Sequence, residues 1–168
     1  VNKALEIGCS VGRCSFELAR HFKHVIGVDR TARFIQRASQ LQQKEQLSYS
    51  LPLEGLLEQH CPLSLAELKL DETIMSRCHF QQADALNLFD YLTDFDLILA
   101  NSVLENLAKP KDFLSTIHHR LNPKGLLVLA SSYQWQEGLT ASKDWLGGYR
   151  ENGEAIKSFD TVTKCLSP

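Results

Sequence analysis

Ala4-Leu5-Glu6-Ile7-Gly8-Cys9-Ser10-Val11-Gly12 decides the fold. An apolar run carrying one acid stops at a glycine, passes small residues and a second glycine, and enters a helical pattern. That pattern covers residues 13–22, with Phe16, Ala19 and Phe22 at helical spacing. Glycines at such a junction let the backbone turn tightly and pass close to a ligand. A dinucleotide fingerprint would place glycines at 8, 10 and 13, where the sequence has Gly8, Ser10 and Arg13. No Gly-Lys-Ser/Thr follows, so a phosphate loop is excluded as well. Acid-x-Gly-x-small-x-Gly suits a nucleoside bearing an amino-acid tail better than a pyrophosphate. A plain strand–helix turn is the competing reading of the loop taken alone.

Outward from this junction, short apolar runs alternate with helical patterns. Residues 24–28 are β-branched and stop at Asp29. Residues 32–46 place Phe34, Ile35, Ala38 and Leu41 on one helix face. Residues 78–82 alternate and stop at Asp84, and residues 95–99 form a buried-type strand that stops near Asn101. Residues 111–121 align Phe113, Leu114, Ile117 and Leu121, and Asn122-Pro123-Lys124-Gly125 ends that helix with turn chemistry before a fifth strand at 126–130. A last helix is expected over 154–166 through Ile156, Phe159 and Val162. Residues 47–76 break the alternation: 49–54 reads as an extra strand turning at Glu54-Gly55, and 58–70 is ambiguous. Strand–helix alternation predicts an α/β fold with a doubly wound, mainly parallel sheet. Right-handed crossovers favour the strand order 3-2-1-4-5.

In such sheets ligands bind outside the carboxyl ends of the strands. The candidate residues are therefore Glu6, Gly8, Cys9, Ser10 and Gly12 after the first strand, Asp29 and Arg30 after the second, and Asp84 and Ala85 after the third. Asn101 follows the fourth, and Ser131-Ser132-Tyr133 the fifth. An acid in the place of Asp29 can accept from both ribose hydroxyls, or cap a helix, for which Thr31 competes. Asp84 or its neighbouring backbone can read an adenine amino group. The run 131–149 holds both tryptophans, Trp135 and Trp145, beside Gly147 and Gly148. It suits a lid over a small planar substrate, or a loop that packs its own aromatics. Asn101, Tyr133 and Trp135 are the candidates for walls of an acceptor site.

The chain has 168 residues, 43% hydrophobic and 23% charged, which predicts one globular domain over 1–168. A formal charge of −2 argues against a general nucleic-acid footprint. No apolar run is long enough to span a bilayer, so no membrane association is expected. Five scattered cysteines without CxxC spacing read as free thiols in a reducing, cytoplasmic setting, and no metal site is assigned. The first residue is Val1, and core strand begins almost at once, as in a domain excised from a longer chain.

Taken together, these motifs resemble a class I S-adenosylmethionine-dependent methyltransferase. The segment 4–12 resembles its first motif, with Ser10 where many members have glycine. Val25-Ile26-Gly27-Val28-Asp29 resembles the ribose-binding strand end, Gln82-Ala83-Asp84-Ala85 the adenine-contacting motif, and 121–127 the turn before the fifth strand, with Lys124 replacing a glycine. This likeness runs to about Tyr133. Glu6 to Arg20, and Ser132 to Tyr149 with its Trp-Leu-Gly-Gly-Tyr run, further resemble the C-terminal methyltransferase domain of ovothiol-biosynthesis enzymes. The resemblance implies a Rossmann-like sheet, S-adenosylmethionine as cofactor, and methylation of an imidazole nitrogen of thiohistidine. It also implies a sulfoxide synthase region in the same parent chain. Class I members end with an antiparallel strand pair after the last helix, and the final strand pair is expected to be missing here. A methyltransferase for another small amine or thiol, and a non-catalytic cofactor-binding module, are the alternatives.

Overall fold

The computed structural model describes residues 2–43, 47–63 and 69–167. Its centre is a five-stranded parallel sheet: β1 (Lys3–Ile7), β2 (His24–Asp29), β5 (Cys78–Gln82), β6 (Phe95–Asn101) and β7 (Leu121–Ala130), in spatial order β5-β2-β1-β6-β7. This is the expected 3-2-1-4-5 arrangement, because the intervening β3 (Leu47–Glu54) and β4 (Leu57–Leu63) pair only with each other. The crossovers run outward from β1 in one direction and then from β6 in the other. The switch point therefore lies between β1 and β6, at the end where the first glycine loop emerges.

Strand alternation divides the core in two. Leu5 and Ile7 join Val28, Phe95, Ile98, Phe113 and Leu114 on the face covered by α4 (Pro110–Thr116) and α5 (Ser158–Leu166). Ala4 and Val25 face the other way, with Phe16 of α1 (Arg13–Leu18), Ala38 and Leu41 of α2 (Ala32–Gln42), Met75 of α3 (Glu72–Ser76) and Phe80. Glu6 shares that second face, and this places an acid under α1.

Several elements differ from the sequence expectations. The helix expected over 13–22 ends at Leu18, and the one over 111–121 becomes α4 followed by a 3-10 turn at Ile117–Arg120. Helix α2 ends at Gln42; residues 44–46 of its expected run lie outside the described residues. Asn122–Gly125 does turn, but inside β7: Phe95 pairs with Leu121 and Leu97 with Leu126, so the extra residues bulge out with Lys124 at φ 70°. The extra strand turning at Glu54-Gly55 is present as β3, and the ambiguous stretch is β4 up to Leu63, while its residues 64–68 lie outside the described residues. The helix expected over 154–166 is a correction. Its first residues form β9 (Glu154–Ile156), paired with β8 (Tyr149–Glu151), and only then does α5 begin. Asn152 and Gly153 both take positive φ, 50° and 86°, as a two-residue hairpin turn requires. Among the described residues no further strand joins β7, and Leu126 and Val128, on one of its faces, are exposed. Nor is any helix among them long and apolar enough to cross a membrane.

Candidate functional site

The first loop is built from backbone hydrogen bonds. The N–H groups of Gly8 and Cys9 both donate to the Val28 carbonyl, at 2.8 and 3.0 Å, and the Gly12 N–H donates to the Cys9 carbonyl at 2.8 Å. Gly8 has φ 73°, and a Cβ built on it would stand 2.9 Å from Val103. Gly12 has φ 85°, and its Cβ would stand 2.6 Å from the Phe80 ring. Both glycines are thus required by conformation and by space. Ser10, between them, also takes a left-handed φ of 50°, which accounts for the preference for glycine at such a position.

Asp29 ties this loop to the second strand. One carboxylate oxygen accepts from the Ser10 N–H at 3.0 Å, the other from the Thr31 N–H at 2.8 Å. Thr31 is the N-cap of α2, without a side-chain bond of its own. An ionised carboxylate has about four acceptor sites, so two remain for a ligand. Asp84 accepts from the Leu86 N–H at 2.9 Å and holds the turn after β5. Between these strand ends opens a cleft of about 340 Å³. Ile7, Gly8 and Val28 form its base, with Asp29, Arg30, Thr31 and Phe34 on one side, 83–86 on another, and Ser102, Val103 and 106–108 opposite.

The structure brings Gly8, Asp29, Arg30, Asp84 and Ala85 to this cleft. Gly12 and Ser10 shape the loop behind it. Cys9 is buried at 3% exposure, and burial pushes its thiol far up, so it is an inert core group. Glu6 does not line the cleft. It is 3% exposed and accepts from the Ser15 hydroxyl beneath α1. Burial pushes its carboxyl up to about 7; bonds from Ser15 and Cys14 oppose the shift and the charge of Asp29 adds to it. Asn101 ends β6 beside the cleft without lining it; its neighbour Ser102 does, at φ 53°.

Sequence reasoning missed Phe34 and Leu86, apolar residues 41% and 37% exposed inside the cleft. Phe34 shares the expected core face of its helix, but on that face only Ala38 and Leu41 are buried. The residues after β6 were missed as well. Glu105, 7% exposed, accepts from the Ser131 hydroxyl at 2.7 Å and from the Ser132 N–H and hydroxyl at 3.1 and 2.9 Å. Burial opposes its charge, but these bonds and one from its own N–H outweigh that and hold the carboxyl below its usual range. An acid four residues beyond the end of β6 was the only sequence signal for it.

The aromatic segment is not a lid over the cleft. The Trp135 indole donates to the Ser158 hydroxyl at 2.9 Å and packs on the core, and the Trp145 indole donates to the Thr140 carbonyl at 2.8 Å. Tyr133 also packs against the core and borders a second, open depression with Tyr149, Arg150, Lys157 and Phe159.

With this geometry in hand, residues 5–129 match the methyltransferase domain family. The chain belongs to that family, whose characteristic cofactor is S-adenosylmethionine. Among solved structures it is similar to the YcgJ protein from Bacillus subtilis (TM-score 0.55, 19% identity, 76% of this chain and 43% of that one). It is also similar to a TehB-like SAM-dependent methyltransferase from Corynebacterium glutamicum (0.51, 22%, 76% and 53%). The [4+2]-cyclase SpnF matches 98% of this chain and 50% of its own, at TM-score 0.64 and 17% identity. At these identities the likeness is one of fold. The chain spans about half the length of these solved proteins. Comparison with curated proteins found no match.

Proposed function

We propose that the cleft binds S-adenosylmethionine and that the domain transfers its methyl group to an imidazole nitrogen of thiohistidine or a closely similar small molecule. The observation that carries the cofactor reading is Asp29: a carboxylate at the second strand end, held by two backbone N–H groups, with acceptor sites left over at the cleft. The residues present fit the cofactor chemically. Asp29 would accept from the ribose hydroxyls, and Asp84 with the backbone at Ala85 would meet the adenine edge. Phe34 and Leu86 offer apolar contact to its ring. Gly8 brings bare backbone against Val103 at the base of the cleft, where the amino-acid tail would lie. The acids also favour a ligand that carries positive charge.

When bound, the cofactor supplies an already activated methyl carbon. Transfer of that methyl to the ring nitrogen would leave the sulfonium as a neutral thioether, and the methylated imidazole would release its N–H proton to water. The protein's contribution is alignment of the acceptor lone pair with that carbon and exclusion of water. The acceptor identity rests on the resemblance of the 6–20 and 132–149 segments. Tyr133, the one acceptor candidate bordering an open depression, is its nearest structural support, with Arg150 and Lys157 there to meet a carboxylate. A sulfoxide synthase region in the parent chain and a cytoplasmic setting belong to the same proposal.

The test is to incubate the protein with S-adenosylmethionine and thiohistidine and to follow the acceptor by mass spectrometry. Gain of one methyl on the ring supports the proposal. Methylation of other small amines or thiols but not thiohistidine removes the acceptor and leaves the methyltransferase. A folded protein that binds S-adenosylhomocysteine yet methylates nothing would be a cofactor-binding module.

A further inference from the structure

The wall of the cleft opposite Asp29 is also the anchor of the aromatic segment. Ser102, Val103, Asn106 and Leu107 line the cleft, and Glu105 sits in the same 3-10 turn with its carboxylate turned to the exit of β7. There it receives both serine hydroxyls. Each hydroxyl in turn accepts from a backbone N–H farther along: Ser131 from Tyr133 at 3.1 Å, Ser132 from Gln134 at 3.3 Å. These relays hold Tyr133 at φ 54°, a left-handed conformation that a bulky side chain adopts only when its surroundings impose it. The same turn holds the segment at a second point. Thr140, fully buried, donates to the Leu107 carbonyl at 2.6 Å and lies 3.3 Å from the Glu105 carbonyl, while its own carbonyl receives the Trp145 indole. Lys109, next to the cleft wall, pairs with Asp144 at 2.9 Å. One short stretch of chain therefore touches the cleft on one side and governs 131–145 on the other.

Building on the cofactor reading above, we propose that Glu105 is a positioning residue that couples occupancy of the cleft to the conformation of residues 131–145, where Tyr133 stands. A carboxylate accepts from all three groups facing it, whereas an amide would turn its NH₂ to the Ser131 hydroxyl and force that group to accept instead of donate. A ligand that firms the 102–108 wall firms this carboxylate, and by reciprocity a substrate held beside Tyr133 strengthens cofactor binding.

The molecule carries its own reporter, since its two tryptophans both lie in the coupled segment and neither lines the cleft. The experiment titrates S-adenosylhomocysteine into the native chain and into Glu105→Gln, reading calorimetry and tryptophan emission in parallel. The native protein should bind with a saturable emission change. Glu105→Gln should bind within about threefold of native affinity while the emission change falls to about a third or less. A merely structural glutamate would lower stability and leave the ligand-induced signal in place. Should Glu105→Gln fail to fold by circular dichroism, Ser132→Ala, which keeps the carboxylate and the Ser132 N–H, should lose about half the signal or more. Binding with no emission change in the native chain, or with the native change in the variants, overturns the coupling alone. Failure of the native chain to bind overturns the cofactor reading and the coupling with it.

Discussion

The two halves of the cleft end are built differently. Around β1, β2 and β5 the site is made of backbone: strand-exit turns, a left-handed glycine loop, and two aspartates that brace N–H groups within a few residues of their own strand or across one neighbouring pair. Around β6 and β7 it is made of side chains reaching across 23 to 35 residues, Glu105 to Ser131, Trp135 to Ser158, Thr140 to Leu107 and Lys109 to Asp144. The first construction suits a ligand common to a family, because strand ends in a parallel sheet recur wherever the fold does. The second suits an acceptor side that differs between members, because each long-range contact can be exchanged without disturbing the sheet.

This contrast can be broken by substitution. The largest effect is expected at Gly12→Val, which places a branched side chain at φ 85° and against the Phe80 ring. It should cost about 3 kcal/mol or more in denaturant unfolding. A cost below about 1 kcal/mol would mean that the loop is not braced by its backbone as described.

Glu6 comes next. Its carboxyl rises from 4.5 to about 7, so its neutral form is favoured in the folded state. The stability it allows is complete below 4.5 and is lost as pH climbs through about 7, where deprotonation costs about 3 kcal/mol. Glu6→Gln should therefore match the native protein near the lower value and exceed it in alkaline buffer. A difference independent of pH would place Glu6 in contact with water, and so nearer the ligand than its bond to Ser15 allows.

On the other half, Trp135→Ala removes a half-buried indole and its bond to Ser158. It should cost about 2 kcal/mol of stability while S-adenosylhomocysteine affinity stays within about threefold. Affinity lost by tenfold or more with stability unchanged would move the indole from the core into the cleft, and the two halves would no longer be distinct.

The same contrast explains what the residues revealed before folding. The strand order and the acids at 29 and 84 were legible because the signals are local: an apolar run, a stop, a glycine or an acid. Asn152-Gly153 was equally local and was overlooked, since the apolar spacing of Ile156, Phe159 and Val162 extends helical periodicity back over a strand. Glu6 was misplaced relative to the cleft because alternation along β1 turns it toward α1, on the opposite face from Leu5 and Ile7. Glu105 was not legible at all. Its meaning depends on serines 26 and 27 residues away that meet it only once β7 lies beside β6. The tryptophans left two readings open for a related reason: their polar partners, Ser158 and Thr140, decide for a self-packed segment only in three dimensions.

The central claim is that Asp29, braced by two N–H groups, keeps acceptor capacity for a ribose in the cleft. Calorimetric titration of S-adenosylhomocysteine into the native chain and into folded Asp29→Asn tests it most directly. The account predicts saturable one-to-one binding that weakens at least about tenfold in the variant, the loss of one charge-assisted hydrogen-bonding group. Equal affinity in the two proteins, or no binding to the native one, would contradict it.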